Sequence, residues 1–531
     1  MKLKQLIALF SSSLILFSCA QIRPITGGEK DNEPPTAIKT TPKYGSIKFI
    51  ENTITIEFNE FIKLTNVSNQ LIVSPLMDPP PEILVRGKKL VIKLENELAE
   101  NTTYSINFGN AISDITENNI FPNYKYVFST GDYIDSLSYS GTVVNAFDLS
   151  KTENIYVLLY DQFEDSVPYK DLPRYVALTD KQGNFSITNI ANGKYKFFAI
   201  NDVNGNYLFD LPNETIGFKK TTIQLDSNSS DNIVYLFEEE SGEQYVIKAE
   251  NKTYGKIDVI LNLPTKKLNI TPLNQFYKQK WYMEEPSKNG DSLTLWLLTT
   301  ENVNNLKMLI NDDSTVVDTL DIDIIDRSQF NDSLVELTTN LNNSFDLNKN
   351  ILVNIGRPFS IYNSDSIKLY EDSTLITNTY FVDIGLRKFE LAYDFKENTN
   401  YQLFISPGAI EDIYGLKNDT VKIDFKTRNE SDYGVIKLSI NPNFSENYII
   451  QLYKKGKLIR ERFLKGNKKI KFQHLLPGNY ELKLIIDHNT DSVWNTGNYL
   501  EDLQPEKVIF YKKEIKIRAN WDNDIIWTVN E

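Results

Sequence analysis

From residue 36 onward the chain alternates apolar and polar residues in short runs, as in Thr53-Ile54-Thr55-Ile56-Glu57-Phe58, Lys89-Leu90-Val91-Ile92-Lys93-Leu94 and Tyr104-Ser105-Ile106-Asn107-Phe108. A strand points successive side chains to opposite faces, so a period of two predicts strands buried on one side and wet on the other. The runs are rich in Ile, Val, Tyr, Phe and Thr and are separated by clusters of Asn, Asp, Gly and Pro, which favour tight turns. Closely spaced turns between such runs predict antiparallel sandwiches. No long segment carries the 3.6-residue periodicity of an amphipathic helix. The expected fold class is all-β, with tandem β-sandwich domains in an elongated multidomain chain.

At 531 residues the chain is too long for one core, and at about 100–200 residues per domain it predicts about three to five of them. Internal repeats say how they are arranged. Glu100-Asn101-Thr102-Thr103-Tyr104 returns 297 residues later as Glu397-Asn398-Thr399-Asn400-Tyr401, and Ala111-Ile112-Ser113-Asp114 returns 298 later as Ala409-Ile410-Glu411-Asp412. A second set repeats 285 residues apart: Phe185, Ile187, Ile190, Gly193, Tyr195 and Asp202 against Ile470, Phe472, Leu475, Gly478, Tyr480 and Asp487. Two segment types, A and B, therefore occur twice each.

Type A, at 34–132 and 336–430, resembles the SbsA-type bacterial Ig-like domain. The resemblance rests on Pro34-Pro35-Thr36, Thr55-Ile56-Glu57-Phe58-Asn59-Glu60, Asn101 to Tyr104, the Ile112/Asp114 turn and Phe128-Ser129-Thr130-Gly131. It implies sandwich-building roles: Tyr104 buries its ring and bonds through its hydroxyl, and Asp114 holds a turn. The second copy lacks the double proline and ends Phe425-Lys426-Thr427-Arg428. Type B, at 133–240 and 431–531, carries Asp180-Lys181-Gln182-Gly183-Asn184-Phe185 followed by Ile187, Ile190, Gly193 and Tyr195. It is similar to the transthyretin-like sandwich of carboxypeptidase-regulatory and Cna-B-type repeats. Residues 241–335 alternate as strongly, as in Ser292 to Leu298, and are expected to form one more sandwich.

The amino terminus has a different pattern. Lys2 and Lys4 precede an apolar stretch from Leu6 to Phe17, with Ser18 just before Cys19. That layout predicts a secretory signal over residues 1–18, too short to remain as a spanning helix. Leu16-Phe17-Ser18-Cys19 resembles the bacterial lipobox, which implies cleavage before Cys19 and its lipidation. Acyl chains, palmitate among them, contribute about 0.8 kcal/mol per buried methylene, so two or three would anchor the chain stably. Residues 19–33 then read as a flexible, lipidated tether. Asp135-Ser136-Leu137, Asp291-Ser292-Leu293, Asp332-Ser333-Leu334 and Asp419-Thr420-Val421 resemble the O-glycosylation sequence of exported Bacteroidetes-type proteins, and the expected location is the bacterial cell envelope, at the outer membrane, with the periplasmic and surface faces both open.

Composition narrows the chemistry. Lys plus Arg number 57 against 71 acidic residues, a formal charge of −14, which argues against nucleic acid as a partner. One cysteine and two histidines leave no material for a zinc site, a disulfide framework or a Cys–His nucleophile pair. His474 and His488 read as solvated or loop residues, no GxSxG or HExxH motif occurs, and no catalytic residue is assigned. The carboxylate runs Glu238-Glu239-Glu240 and Glu284-Glu285 read as solvated linker.

Two constellations remain. Asp202, Asn204, Asn206 and Asp210 fall at positions 1, 3, 5 and 9 of a loop, and Asp487, Asn489, Asp491 and Asn495 repeat the spacing. Hard oxygens two residues apart suit calcium, the only cofactor expected; the same residues also build plain Asx-rich turns, and position 12 lacks the bidentate glutamate. The second is Trp494, Trp521 and Trp527 in the last segment, where exposed rings would stack on sugars and buried ones would fill a core. The expected function is that of a non-enzymatic, membrane-anchored structural or interaction module serving adhesion or display, with an envelope protein or glycan as partner. The alternative is a glycan-binding or glycan-processing envelope protein.

Overall fold

A computed structural model describes residues 30–530 apart from 241–242, 266, 276–278, 299–302, 314 and 331. The signal segment 1–18 and Cys19 lie outside the described residues. Strands make up 51% of the chain and helix 3%, so the fold is all-β, a chain of tandem β-sandwiches. Among the described residues the α-helices are single turns, Val67–Gln70 and Val167–Lys170, and no helix is long and apolar enough to cross a membrane.

The chain divides into two compact units. The first runs to Thr142 and includes Glu153–Leu208 and Thr221–Ile233; the second comprises Val143–Thr152, Phe209–Lys220 and Val234 onward. Residues 133–240 therefore contribute to both.

In the first unit, Ala37–Thr41, Thr53–Phe58, Lys89–Lys93 and Glu82–Arg86 form one sheet, and Ile72–Ser74, Thr103–Asn107 and Lys125–Ser129 another. Thr53–Phe58 follows its sequence pattern: Ile54, Ile56 and Phe58 are fully buried between the sheets with Leu90, Ile92, Ile106 and Phe128, while the threonines and Glu57 lie half-buried on the other face. The rest of the unit pairs Tyr156–Tyr160 with Tyr175–Leu178 and with Gly193–Ile200, and Leu137 to Thr142 with Asn184–Ile190.

The second unit contains three sandwiches. Residues 246–323 pair Val246–Thr253, Lys256–Leu261, Ser292–Leu297 and Tyr282–Pro286 in one sheet and Leu268–Pro272, Asn305–Asp312 and Thr315–Asp323 in the other, around Ile257, Val259, Leu295, Met308 and Ile310. Residues 337–427 place Ile351, Val353, Leu369, Phe389, Leu391 and Leu403 in their core. In the last sandwich, Asn447–Lys454 lies between Lys457–Lys465 and Gly478–Asp487, facing a sheet built on Gly434–Pro442.

One departure from the antiparallel expectation concerns that sheet. Its closing strand, Asp522–Val529, runs parallel to Gly434–Pro442 over eight residue pairs. Parallel pairing needs a long crossover, and the whole sandwich supplies it here, so the alternation of the two strands did not disclose their direction.

Candidate functional site

The repeats of type A mark a shared hydrogen-bond knot. In the first copy the Ala99 amide donates to the Tyr104 hydroxyl (2.9 Å), the Thr102 amide to Thr130 Oγ1 (2.9 Å) and the Thr130 hydroxyl to the Ala99 carbonyl (2.7 Å). In the second, the Lys396 amide donates to Tyr401 (3.0 Å), the Thr399 amide to Thr427 Oγ1 (3.0 Å) and the Thr427 hydroxyl to the Lys396 carbonyl (2.6 Å). Asn101 and Asn398 turn the chain at φ 50° and 51°, in the left-handed region that asparagine tolerates. Asp114 likewise accepts the amides of Glu117, Asn118 and Asn119, and Asp412 those of Tyr414 and Leu416. Both aspartates are 1% exposed; Asp114 spends both oxygens on its turn, while Asp412 holds its turn through Oδ1 alone and turns Oδ2 toward Arg357 at 3.8 Å.

The Asp/Asn loops of type B are built on the same economy. Asp202 accepts the amides of Gly205, Asn206 and Tyr207, and Asn206 Oδ1 that of Leu208. Asp210 continues this loop in sequence, and its amide donates to Glu214 (2.9 Å). In the second copy Asp487 accepts the amides of Thr490 and Ser492; Asp491 accepts the Val493 amide and the side-chain amides of Asn489 and Asn495. These are Asx-turn contacts. Among the described residues no group of three or more His, Asp or Glu side chains is placed to hold a metal ion.

Sequence reasoning missed the glutamates that close these loops. Glu214 and Glu506 are buried (1% and 6% exposed), and Glu506 accepts the amides of His488 (2.9 Å) and Asn495 (3.1 Å). Burial pushes the Glu506 carboxyl above its ordinary range, against those amides and together with the nearby charges of Asp487 and Asp491. The two glutamates sit 292 residues apart, seven more than the 285 of the repeat, so the loop insertion hid their equivalence.

The tryptophans do not form one face. Trp527 is 5% exposed inside the core of the last sandwich, which removes it as a stacking platform and corrects that expectation. Trp521 is 59% exposed, beside Glu430 and His474, which share a 3.1 Å contact. Trp494 is half-buried, with its indole N–H on the Glu506 carbonyl (2.9 Å) and its ring edge-on to Phe147 at 5.0 Å.

That contact belongs to a long-range junction within the second unit. The Thr496 hydroxyl donates to the Glu238 carbonyl (2.6 Å), the Tyr499 amide to the Glu239 carboxylate, and Gln504 Nε2 to the Phe218 carbonyl (3.2 Å). Phe218 meets Tyr499 at 5.1 Å. Gly497 lies so close that a Cβ there would come within 2.6 Å of the Phe237 ring, so no larger residue fits. Lys483 is 2% exposed, with its ammonium 3.1 Å from the Phe147 ring centre, and burial pushes its pKa down to about 8 against the opposing charge of Asp148.

In the second carboxylate run Glu284 is exposed, as expected, but Glu285 is engaged. Glu285, on Tyr282–Pro286, takes a two-pronged contact from Arg387 (2.7 and 3.1 Å) and the indole N–H of Trp296 (3.0 Å). Burial alone would raise its pKa, but these hydrogen bonds outweigh it and hold the carboxyl below its ordinary value. The pair therefore contributes stability that is fully present above the ordinary glutamate range and lost as pH falls through the depressed value. Between pH 7 and 3, wild type is expected to lose more thermal stability than Glu285→Gln; calorimetric melts of both across that range, if parallel, would contradict the assignment.

Residues 31–130 match the bacterial Ig-like domain family. They cover the whole first A sandwich, whose knot and buried Asp114 are repeated in the second. No curated protein matches the chain. Solved structures similar to it include the I67–I69 fragment of the titin I-band (9% identity, 54% of this chain and 99% of that one, TM-score 0.14). The major pilin subunit BcpA of Bacillus cereus (11%, 75% and 99%, TM-score 0.14) and the S-layer protein rSbsC(31-844) (10%, 90% and 66%, TM-score 0.15) are others.

Proposed function

We propose that this protein is a lipid-anchored module of the bacterial cell envelope, with a structural and interaction role rather than a catalytic one. The observation that carries the reading is where its acidic side chains are spent. Asp114, Asp412, Glu506 and Glu285 each use their oxygens on backbone amides or on an ion pair, which is scaffold chemistry. The bacterial Ig-like match over 31–130 is consistent with that role. The anchor reading rests on Leu16-Phe17-Ser18-Cys19, and it sets the chain on a membrane through acyl chains with its sandwiches displayed from the tether.

Labelling growing cells with an alkyne fatty acid tests it. Wild type is expected to take up the label and sediment with membranes, and Cys19→Ser to lose both. An unlabelled wild-type chain, or a Cys19→Ser chain that stays on the membrane, would remove the anchor from the proposal.

A further inference from the structure

The two A sandwiches differ on one face, and the difference points to a ligand site. In the first copy the outer side of the sheet formed by Ile72–Ser74, Thr103–Asn107 and Lys125–Ser129 is covered. Thr103 to Ile106 are buried on both faces of their strand, as are Tyr126 to Ser129. The cover is the strands Tyr175–Leu178 and Asn184–Ile190. The Val176 amide donates to Ser74 Oγ (3.0 Å), the Asp135 amide to Thr103 Oγ1 (2.9 Å), and Lys125 reaches Thr188. Small side chains suit such a contact: Ser74, Thr103, Ser105, Val127 and Ser129 are all under 9% exposed.

In the second copy no strand among the described residues covers the same face. Asn400–Ile405 alternates buried residues with exposed or half-buried ones, and Val421–Thr427 alternates exposed residues with half-buried or buried ones. Matching the registers of the two sheets sets Tyr370, Asn400, Gln402, Asp424 and Lys426 where the first copy has Ser74, Thr103, Ser105, Val127 and Ser129. Five small or apolar positions have become a ring, two amides, a carboxylate and an ammonium.

Strand pairing arranges these side chains in two rows. Tyr370, Gln402 and Asp424 lie side by side on three neighbouring strands, and Asn400 and Lys426 form the next row, with Asp372 beside Asn400 through a backbone bond of 3.1 Å. Within the rows Gln402 Nε2 donates to Asp424 Oδ1 (2.5 Å) and Asn400 Nδ2 to Asp372 Oδ1 (3.3 Å). These bonds fix the orientation of each amide and use one oxygen of each carboxylate. The rows line an open cavity of about 720 Å³, within the range of small-ligand sites.

We infer that this face of the second A sandwich binds a neutral oligosaccharide. Sugar hydroxyls donate and accept at once, which matches oriented amide–carboxylate pairs, and the C–H face of a pyranose packs on a ring such as Tyr370. Asp372 and Asp424 stand against Lys426 and, in the next row of the same face, Lys368 and Lys422, so the face is close to charge-balanced, and the chain's net charge of −14 disfavours an anionic polymer. The site goes beyond the anchoring proposed above, and it binds or fails to bind whether or not Cys19 is acylated.

Affinity electrophoresis of the full chain in mild detergent, through native gels containing laminarin, xylan, mannan, dextran or alginate, tests this. At least one neutral polysaccharide is expected to retard wild type, and Tyr370→Ala and Gln402→Ala each to weaken that retardation about tenfold, the equivalent of about 1.4 kcal/mol. Both side chains are half-buried and outside the core of this sandwich, so melting temperatures close to wild type are expected to accompany the loss. No retardation by any neutral polysaccharide, retardation by alginate alone, or equal retardation of wild type and both variants would overturn the inference.

Discussion

Asp412→Ala is expected to be among the most damaging single substitutions in the second unit. Asp412 is 1% exposed; its Oδ1 accepts the amides of Tyr414 and Leu416, and its Oδ2 faces Arg357 at 3.8 Å. Removing one member of a buried charge pair strands the other, at about 3–5 kcal/mol. Two turn amides lose their acceptor as well. Arg357 also lies 4.4 Å over the Phe330 ring and pairs with the more exposed Asp332, so it has company for its charge but no replacement for the buried side. Adding Arg357→Met to Asp412→Ala removes the half-compensated cation and is expected to recover part of the loss, leaving the cost of the two unpaired amides. Scanning calorimetry resolves transitions of a multidomain chain separately and is the measurement of choice. An Asp412→Ala melt that overlays wild type would show that the pair contributes nothing.

Lys483→Met is expected to move stability in the opposite direction. The ammonium is buried against Phe147, and a pKa lowered from 10.5 to about 8 corresponds to about 3 kcal/mol of penalty for keeping it charged. Below about pH 8 the lysine is charged whether folded or unfolded, and the full penalty applies. As pH rises from about 8 towards 10.5 the folded chain gives up its proton first, so the stability of this junction increases over that window. Methionine has similar volume and no charge to bury, and is expected to stabilise by about 1–4 kcal/mol at neutral pH and to abolish the alkaline gain. Urea unfolding at pH 7 and 9.5 reads both effects. A Lys483→Met chain less stable than wild type at pH 7 would show that the cation–ring contact more than offsets the burial.

Much of the sandwich architecture was legible because each alternating run carries its own instruction. Ile54, Ile56 and Phe58 face inward for the reason visible in their spacing. The repeated Asn-Thr and Ile-x-Asp runs proved to be hydrogen-bond knots at equivalent places in both A sandwiches. Less was legible where a side chain's role depends on another segment. Glu238–Glu240 and Glu284–Glu285 look like solvated charge in a linear reading, yet Glu239 caps the Tyr499 amide and Glu285 clasps Arg387 from residues 260 and 102 positions away. Trp527 and Trp494 were indistinguishable as letters; one is core, the other half-covered by Phe147.

The sequence by itself determined that this chain is all-β, where its turns fall and which segments are copies, because period, turn chemistry and repetition are local properties of a strand and its loop. Tertiary structure alone decided the direction of the closing strand Asp522–Val529, the junction of Trp494 to Gln504 with Phe147, Phe218 and Glu239, and which of two equivalent sheet faces is covered. Ser105 and Gln402 occupy the same position in two copies of one sandwich. Alternation puts both on the outer face, but what lies against that face is set by a segment far away in the chain, and that is why one became packing and the other remained free to meet a ligand.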